Sequence, residues 1–178
     1  MVGFELILVA IGATIVGFFL LTAFVGAPYV PSHRAQLRRA FRELRPLSTT
    51  DSLVDLGAGD GRVLEEATRA GAGLVTGVEI NPFLWLSARI RIPQKAHLVW
   101  GSMWRYRLPA STTVVYVFGV GRDTAKLVRY MQRETIRLGK PLELITYGNP
   151  LAGQKATGLL GAHFLYRFTP SQAKALTV

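Results

Sequence analysis

The stretch Ser52–Ala67, SLVDLGAGDGRVLEEA, constrains the fold more than any other part of the chain. A short buried strand carrying one acid, Asp55, runs into Gly57, Gly59 and Gly61, and a helix follows from Gly61 to about Ala70. Glycines at a strand end let the backbone turn tightly and approach a ligand where any Cβ would collide, and the next helix opens with free N–H groups. Something bulky is therefore expected across the turn. The dinucleotide fingerprint G-x-G-x-x-G would need glycine at position 62, which is Arg62, and the Lys-Ser/Thr pair of a phosphate-binding P-loop is absent.

The remainder alternates strand and helix. LVTGVEI reads as a second strand, and NPFLWLSARIRI as a helix with Asn81 as N-cap and Pro82 at its first position. AHLVW, TTVVYVFG and PLELITY are the third to fifth strands, with a helix from Arg122 to about Leu138 before the fifth, and HFLYRF is expected as a last strand by the edge. The alternation predicts an α/β fold, a doubly wound, mostly parallel sheet with its ligand site at the carboxyl ends of the strands.

Leu6 to Val30 contains no charged residue. At about 1.5 Å per residue that run exceeds the roughly 30 Å of hydrocarbon a helix must cross, so one transmembrane helix is expected ahead of the sheet. A cleavable signal peptide fits less well, because the start carries Glu5 and no Lys or Arg, and the cleavage-like VGA is followed directly by Pro28. Arg34, Arg38, Arg39, Arg42 and Arg45 follow, which by the positive-inside rule puts the rest of the chain on the cytoplasmic side, or the matrix side in an organelle. Leu37, Phe41 and Leu44 recur at helical spacing, so the basic segment is expected as an amphipathic helix lying on anionic lipid or against the following domain. The expected divisions are residues 1–30 as anchor, 31–46 as basic helix, 47–170 as the sheet domain and 171–178 as tail, with a linker around Pro46 to Asp51.

DLGAGDG matches D-x-G-x-G-x-G without a mismatch, and Glu79 ends the second strand, where an acid can accept hydrogen bonds from both hydroxyls of a ribose. In these marks the chain resembles the class I S-adenosylmethionine-dependent methyltransferases, with their Rossmann-like fold. With the apolar span, GAPYVPS, GVEINPFLW, SMWRY and VVYVFGV it is similar, more narrowly, to small membrane-anchored methyltransferases whose mitochondrial members modify lysine in the ATP synthase c subunit or the adenine nucleotide translocase. The resemblance covers about Phe19 to Tyr147. It implies S-adenosylmethionine as cofactor, held by Asp55, Gly57, Gly59, Asp60, Gly61, Glu79, Ser102 and Met103. Ser102 stands where that family has an acid that helps hold the adenine, and YGNPL replaces its arginine-containing segment after the fifth strand.

Methyl transfer needs no dedicated nucleophile, because the sulfonium already makes the methyl group electrophilic; the enzyme holds the acceptor in line and excludes water. Phe118, Gly119 and Val120 at the end of the fourth strand, with Tyr147 and Asn149 at the end of the fifth, are the candidate acceptor-side residues. Asp60 serves equally as a cap for the helix behind it, and Phe118 equally as core. The expected partner is a membrane protein with a lysine near the bilayer surface, alongside anionic lipid. A lipid or small-molecule methyltransferase, and a noncatalytic cofactor-binding scaffold, share the same marks. With no cysteine and His33, His97 and His163 at no ligand spacing, no metal site is expected. The net charge of +10 would suit RNA, but no added RNA-binding module or N-P-P-Y-type acceptor motif accompanies it.

Overall fold

The computed structural model describes residues 3–12, 14, 33–119, 121 and 123–171. The chain divides into two compact units, Met1–Val30 and Pro31–Val178. In the first, residues 3–12 are helical. No helix among the described residues is long and apolar enough to cross a membrane, and most of the run expected to span lies outside the described residues.

The second unit is built on β1 (Ser52–Leu56), whose five residues are all buried because strands flank it on both edges and helices cover both faces. Around it are β2 (Leu74–Glu79), β3 (Ala96–Trp100), β4 (Val114–Phe118), β5 (Leu142–Tyr147), β6 (Gly158–Leu160) and β7 (His163–Phe168), in the order β3-β2-β1-β4-β5-β7-β6. The first five in that order pair in parallel, and β7 runs antiparallel to both of its neighbours, β5 and β6. The doubly wound sheet expected from the sequence is therefore present. HFLYRF, expected by the edge, is instead the inner partner of β5, and the edge is β6, which has no alternating apolar pattern of its own. The strand order reverses at β1, which pairs β2 on one side and β4 on the other, so the glycine turn leaves the sheet at its switch point.

Four helical segments cover the faces: α1 (Arg34–Arg39), prolonged by a π-helical turn over Ala40–Leu44, α2 (Arg62–Arg69), α3 (Pro82–Arg91) and α4 (Thr124–Leu138). Asn81 caps α3 as expected, its Oδ1 accepting from the Phe83 and Leu84 amides at 2.9 and 3.3 Å. Alternate residues of the strands separate two cores. Val54, Val115, Val117 and Leu144 pack with Leu127 and Met131 of α4, while Leu53, Val114, Tyr116 and Ile145 pack with Leu64 of α2 and with Leu37 and Phe41.

The basic segment is thus part of the second core, the second of its two expected placements. Burying Leu37 and Phe41 contributes roughly 1.5–3 kcal/mol each. Its arginines are also engaged by the domain. The Glu66 carboxylate, fully buried, accepts from Arg34, Arg38 and Arg69 at 2.9–3.3 Å. Arg45 bridges Asp51 and Glu143, and Arg39 pairs with Glu43. Of the five arginines, Arg42 alone has no ion pair among the described residues.

The expected linker at Pro46 to Asp51 is pinned down as well. Asp51 accepts from the Arg45 guanidinium at 2.7 and 3.0 Å, from the Ser48 amide at 2.9 Å and from the Thr113 hydroxyl at 2.9 Å. Burial pushes the carboxyl up, but Arg45 and the Ser48 and Thr113 donors outweigh it and hold Asp51 down at about 2. A depressed carboxyl stabilises the fold above its unfolded value, near 4, and the contribution is lost as the pH falls toward 2. Asp51→Asn is expected to cost about 2 kcal/mol at pH 7, with the gap to wild type closing toward pH 2, as read by urea denaturation across that range.

Candidate active site

Three glycines of the turn have left-handed backbones, Gly57 at φ 98°, Gly59 at 55° and Gly61 at 83°. At Gly61 space matters as much as φ, since a Cβ there would lie 2.7 Å from Ile92 Cγ2 and 3.2 Å from Ala88 Cβ of the α3 segment. This glycine lets α3 close against the start of α2. The turn is held from the neighbouring strand, because the Gly57 and Ala58 amides both donate to the Val78 carbonyl at 2.9 Å.

Glu79 has a role that sequence reasoning did not assign. Its Oε2 accepts from the Gly59 amide and its Oε1 from the Asn81 amide, both at 2.7 Å. The carboxylate therefore bridges the turn after β1 to the turn after β2. An ionised carboxylate offers about four acceptor positions, so two remain for hydroxyl donors.

Three acids converge here, and their charges are matched unequally. Asp60 is 7% exposed; its Oδ1 accepts from the Arg62 amide at 3.3 Å, its Oδ2 from Arg62 Nε at 2.8 Å, and it pairs with Arg91. It serves the helix start and is charge-neutralised there. Asp55 is 1% exposed and its Oδ2 has no hydrogen-bond partner among the described residues. Burial, then the nearby charges of Glu79 and Asp60, push its carboxyl well above the usual range. Neither Asp55 nor Glu79 has an ion pair among the described residues. A glycine turn at the switch point, with one orphaned buried carboxylate and one bridging carboxylate, fits a ligand that carries positive charge and hydroxyl groups. S-adenosylmethionine has both, and the residues present fit it.

The Gly101 amide donates to the Glu79 carbonyl at 2.9 Å, which brings the loop after β3 alongside. There the Ser102 carbonyl closes a turn by accepting from the Arg105 and Tyr106 amides at 3.1 Å, and Met103 packs on the first core. Two apolar side chains missed in the sequence stand beside this loop: Ile80 is 46% exposed and Trp100 66%, with the indole N–H donating to the Ile80 carbonyl at 3.0 Å. Their signal was position alone, apolar residues at the carboxyl ends of β2 and β3.

On the acceptor side, Phe118 and Tyr147 are brought together, their rings stacked at 5.0 Å and 15°. The Gly119 amide donates to the Tyr147 carbonyl at 3.2 Å. Asn149 is exposed, and its side chain faces Gly121 rather than the aromatic pair. Val120 lies outside the described residues. His163 and Gln36, neither singled out from the sequence, complete the group. The His163 ring meets Tyr147 edge-on at 4.7 Å, its Nε2 lies 3.3 Å from the Tyr116 hydroxyl, and the Tyr147 hydroxyl donates to Gln36 Oε1 at 2.6 Å. Burial lowers His163 to about 4, so its ring is neutral at physiological pH.

Because the native state of Asp55 holds its proton to higher pH than the unfolded chain does, its contribution to stability falls as pH rises toward the native value. Asp55→Asn is therefore expected to raise the melting temperature of the ligand-free protein at pH 8 by a few degrees, roughly, and to weaken its stabilisation by S-adenosylhomocysteine. Glu79→Ala and Gly59→Val are expected to lose most cofactor binding while remaining folded. Calorimetry and thermal melts with and without ligand check all three, and unchanged affinity in both Glu79→Ala and Gly59→Val would refute the site.

No family model matches the chain. The ATP synthase c-subunit lysine N-methyltransferase of Xenopus laevis is 31% identical over 137 residues, covering 70% of this chain and 59% of that protein. Its Homo sapiens counterpart is 31% identical over 112 residues, covering 60% of this chain and 46% of that one. The chain thus spans less than two thirds of either relative's length. Among solved structures, an RNA methyltransferase from Salinibacter ruber in complex with S-adenosyl-L-homocysteine superposes with a TM-score of 0.68 at 23% identity, covering 79% of this chain and 93% of that one. The chain has the fold of the class I S-adenosylmethionine-dependent methyltransferases and is similar in sequence to the lysine N-methyltransferases of the ATP synthase c subunit.

Proposed function

We propose that this protein is a membrane-anchored S-adenosylmethionine-dependent methyltransferase that methylates a lysine side chain of a membrane protein. The observation that carries the reading is the switch-point turn, where Oδ2 of buried Asp55 has no hydrogen-bond partner among the described residues and the Glu79 carboxylate bridges the Gly59 and Asn81 amides. The two relatives named above are lysine N-methyltransferases, which favours an amine as acceptor.

Asp55 and Glu79 would hold the cofactor's cationic and ribose portions, with the glycine backbone beneath and Ile80 and Trp100 offering apolar surface to the base. When bound, S-adenosylmethionine supplies an electrophilic methyl group. The chain's own residues have the other half of the task, which is to admit an uncharged amine and hold it in line. An aromatic wall of Phe118 and Tyr147 disfavours the charged form of an entering lysine by desolvation, which lowers the amine's pKa without a catalytic base. An amine that has given its proton to water beside these rings would have its lone pair free for the methyl group, and the methylated product would release a second proton to solvent.

The anchor rests on the uncharged run from Leu6 to Val30, and the cytoplasmic or matrix orientation on the arginines that follow. With its neighbours engaged by the domain, Arg42 is the arginine of that segment left for anionic lipid. An anchor also favours a substrate in the same membrane, because a tether raises the effective concentration of acceptors confined with it.

The deciding experiment is incubation of the full-length protein with native membranes and methyl-labelled cofactor, followed by fractionation and mass spectrometry. Label on lysine in a membrane protein is expected. Label confined to lipid would replace the protein substrate with a lipid one, and cofactor binding without label in any fraction would make the protein a noncatalytic binder. Exchanging residues 1–30 for an unrelated membrane helix of the same orientation is expected to preserve most of the labelling, whereas equal labelling of a cytosolic protein after removal of the anchor would refute the membrane-substrate reading.

A further inference from the structure

Tyr147 is held on every side the structure describes. Phe118 covers one face of its ring at 5.0 Å, the edge contact with His163 at 4.7 Å fixes its tilt, and the hydroxyl donates to Gln36 Oε1 at 2.6 Å. His163 is itself 2% exposed and placed by the Tyr116 hydroxyl. The ring can neither rotate away nor slide without breaking several of these contacts together. Its phenolic oxygen, in an exposed hydrogen bond at the carboxyl end of β5 beside Phe118, is open to a ligand.

The polarity of that oxygen is the point. A phenol is one donor and an acceptor, and which role it offers depends on where its proton goes. Here the proton is committed to the Gln36 carbonyl oxygen, so the oxygen presents lone pairs only. It can accept from an N–H but cannot donate. A neutral primary amine has N–H groups to give and one lone pair that must be left free to attack. An acceptor-only oxygen takes hold of an N–H and leaves that lone pair unencumbered, whereas a phenol that could donate would compete for it. The neutral His163 ring adds no cation to repel an amine arriving with its proton still bound.

We propose that Gln36 is a positioning residue that sets Tyr147 as a hydrogen-bond acceptor and thereby orients the amine of the methyl acceptor, an inference that rests on the lysine-methyltransferase reading above. The residue that sets this polarity lies on α1, the first helix of the second unit, rather than on the sheet. The segment joining the apolar run to the domain is in this way a part of the acceptor site as well as of the core.

The test uses full-length protein in nanodiscs of neutral lipid, native membranes as the methyl acceptor and labelled S-adenosylmethionine. Four variants differ in what they offer the phenol: Gln36→Glu keeps an acceptor, Gln36→Lys replaces it with a donor, Gln36→Leu gives neither, and Tyr147→Phe keeps the stacked ring without the oxygen. Gln36→Glu is expected to stay within about threefold of wild type, while Gln36→Lys and Tyr147→Phe lose about tenfold to a hundredfold in kcat with KM for membranes and affinity for S-adenosylhomocysteine nearly unchanged. Gln36→Leu is expected to fall between them, since the freed phenol samples both roles. Full activity in Gln36→Lys overturns the inference, and so does an equal loss in Gln36→Glu and Gln36→Lys, which would mean that the bond only staples the helix to the sheet. An unlabelled wild-type reaction fails differently: it refutes the methyltransferase reading itself and with it the acceptor role.

Discussion

The Glu79 carboxylate ties together the two turns on which the site depends. By accepting from the Gly59 and Asn81 amides it fixes the loop after β1 against the loop after β2, and both start a helix that covers the same face of the sheet. The backbone adds its own hold on the turn, with the Gly57 and Ala58 amides donating to the Val78 carbonyl and the Gly61 amide to the Ala58 carbonyl. Asp55 is more deeply buried than Glu79, its Oδ2 has no hydrogen-bond partner among the described residues, and burial followed by the nearby charge of Glu79 pushes its carboxyl up. The pocket is electrostatically unfinished in a way that a cationic ligand would complete.

The two ends of the site differ in chemical character. Acids and glycine backbone lie over β1 and β2, whereas stacked aromatic rings and a neutral histidine lie over β4, β5 and β7. This division suits the two partners of a methyl transfer. A sulfonium is favoured by nearby negative charge, but an amine nucleophile must be uncharged, and the same acids close to it would hold it protonated. The acids and the aromatic rings stand over different strands, which keeps the two environments apart.

The basic segment before β1 does more than its composition suggests. Arg34, Arg38 and Arg69 surround one fully buried glutamate, so the charge that folding takes from solvent is matched by three guanidinium groups that stay partly exposed. Leu37 and Phe41 pack into the core over Tyr116, with Phe41 meeting that ring edge-on at 6.0 Å. The helix is therefore part of the core of the second unit, and Gln36 on it accepts a hydrogen bond from the Tyr147 hydroxyl.

How much of this was legible in the chain follows from the range over which each signal acts. The strand, glycine turn and helix at Ser52–Arg69, the cap at Asn81 and the alternation that sets a parallel sheet are local patterns, written in backbone preference and side-chain period, and the structure has them where the sequence puts them. The nearness of Asp55 to Glu79 was readable because the spacing between two successive strand ends is itself a short-range quantity. The short β6, the inner place of β7 and the group formed by Gln36, Tyr147 and His163 were not. Gln36 and Tyr147 are separated by 111 positions, and a glutamine on the polar side of a basic helix carries no mark of its partner. The sequence by itself determined the fold class and the cofactor turn, since those depend on neighbours along the chain. Only the tertiary structure decided which charges are satisfied and which way a phenol's proton points, because both depend on groups that meet only when distant parts of the chain pack together.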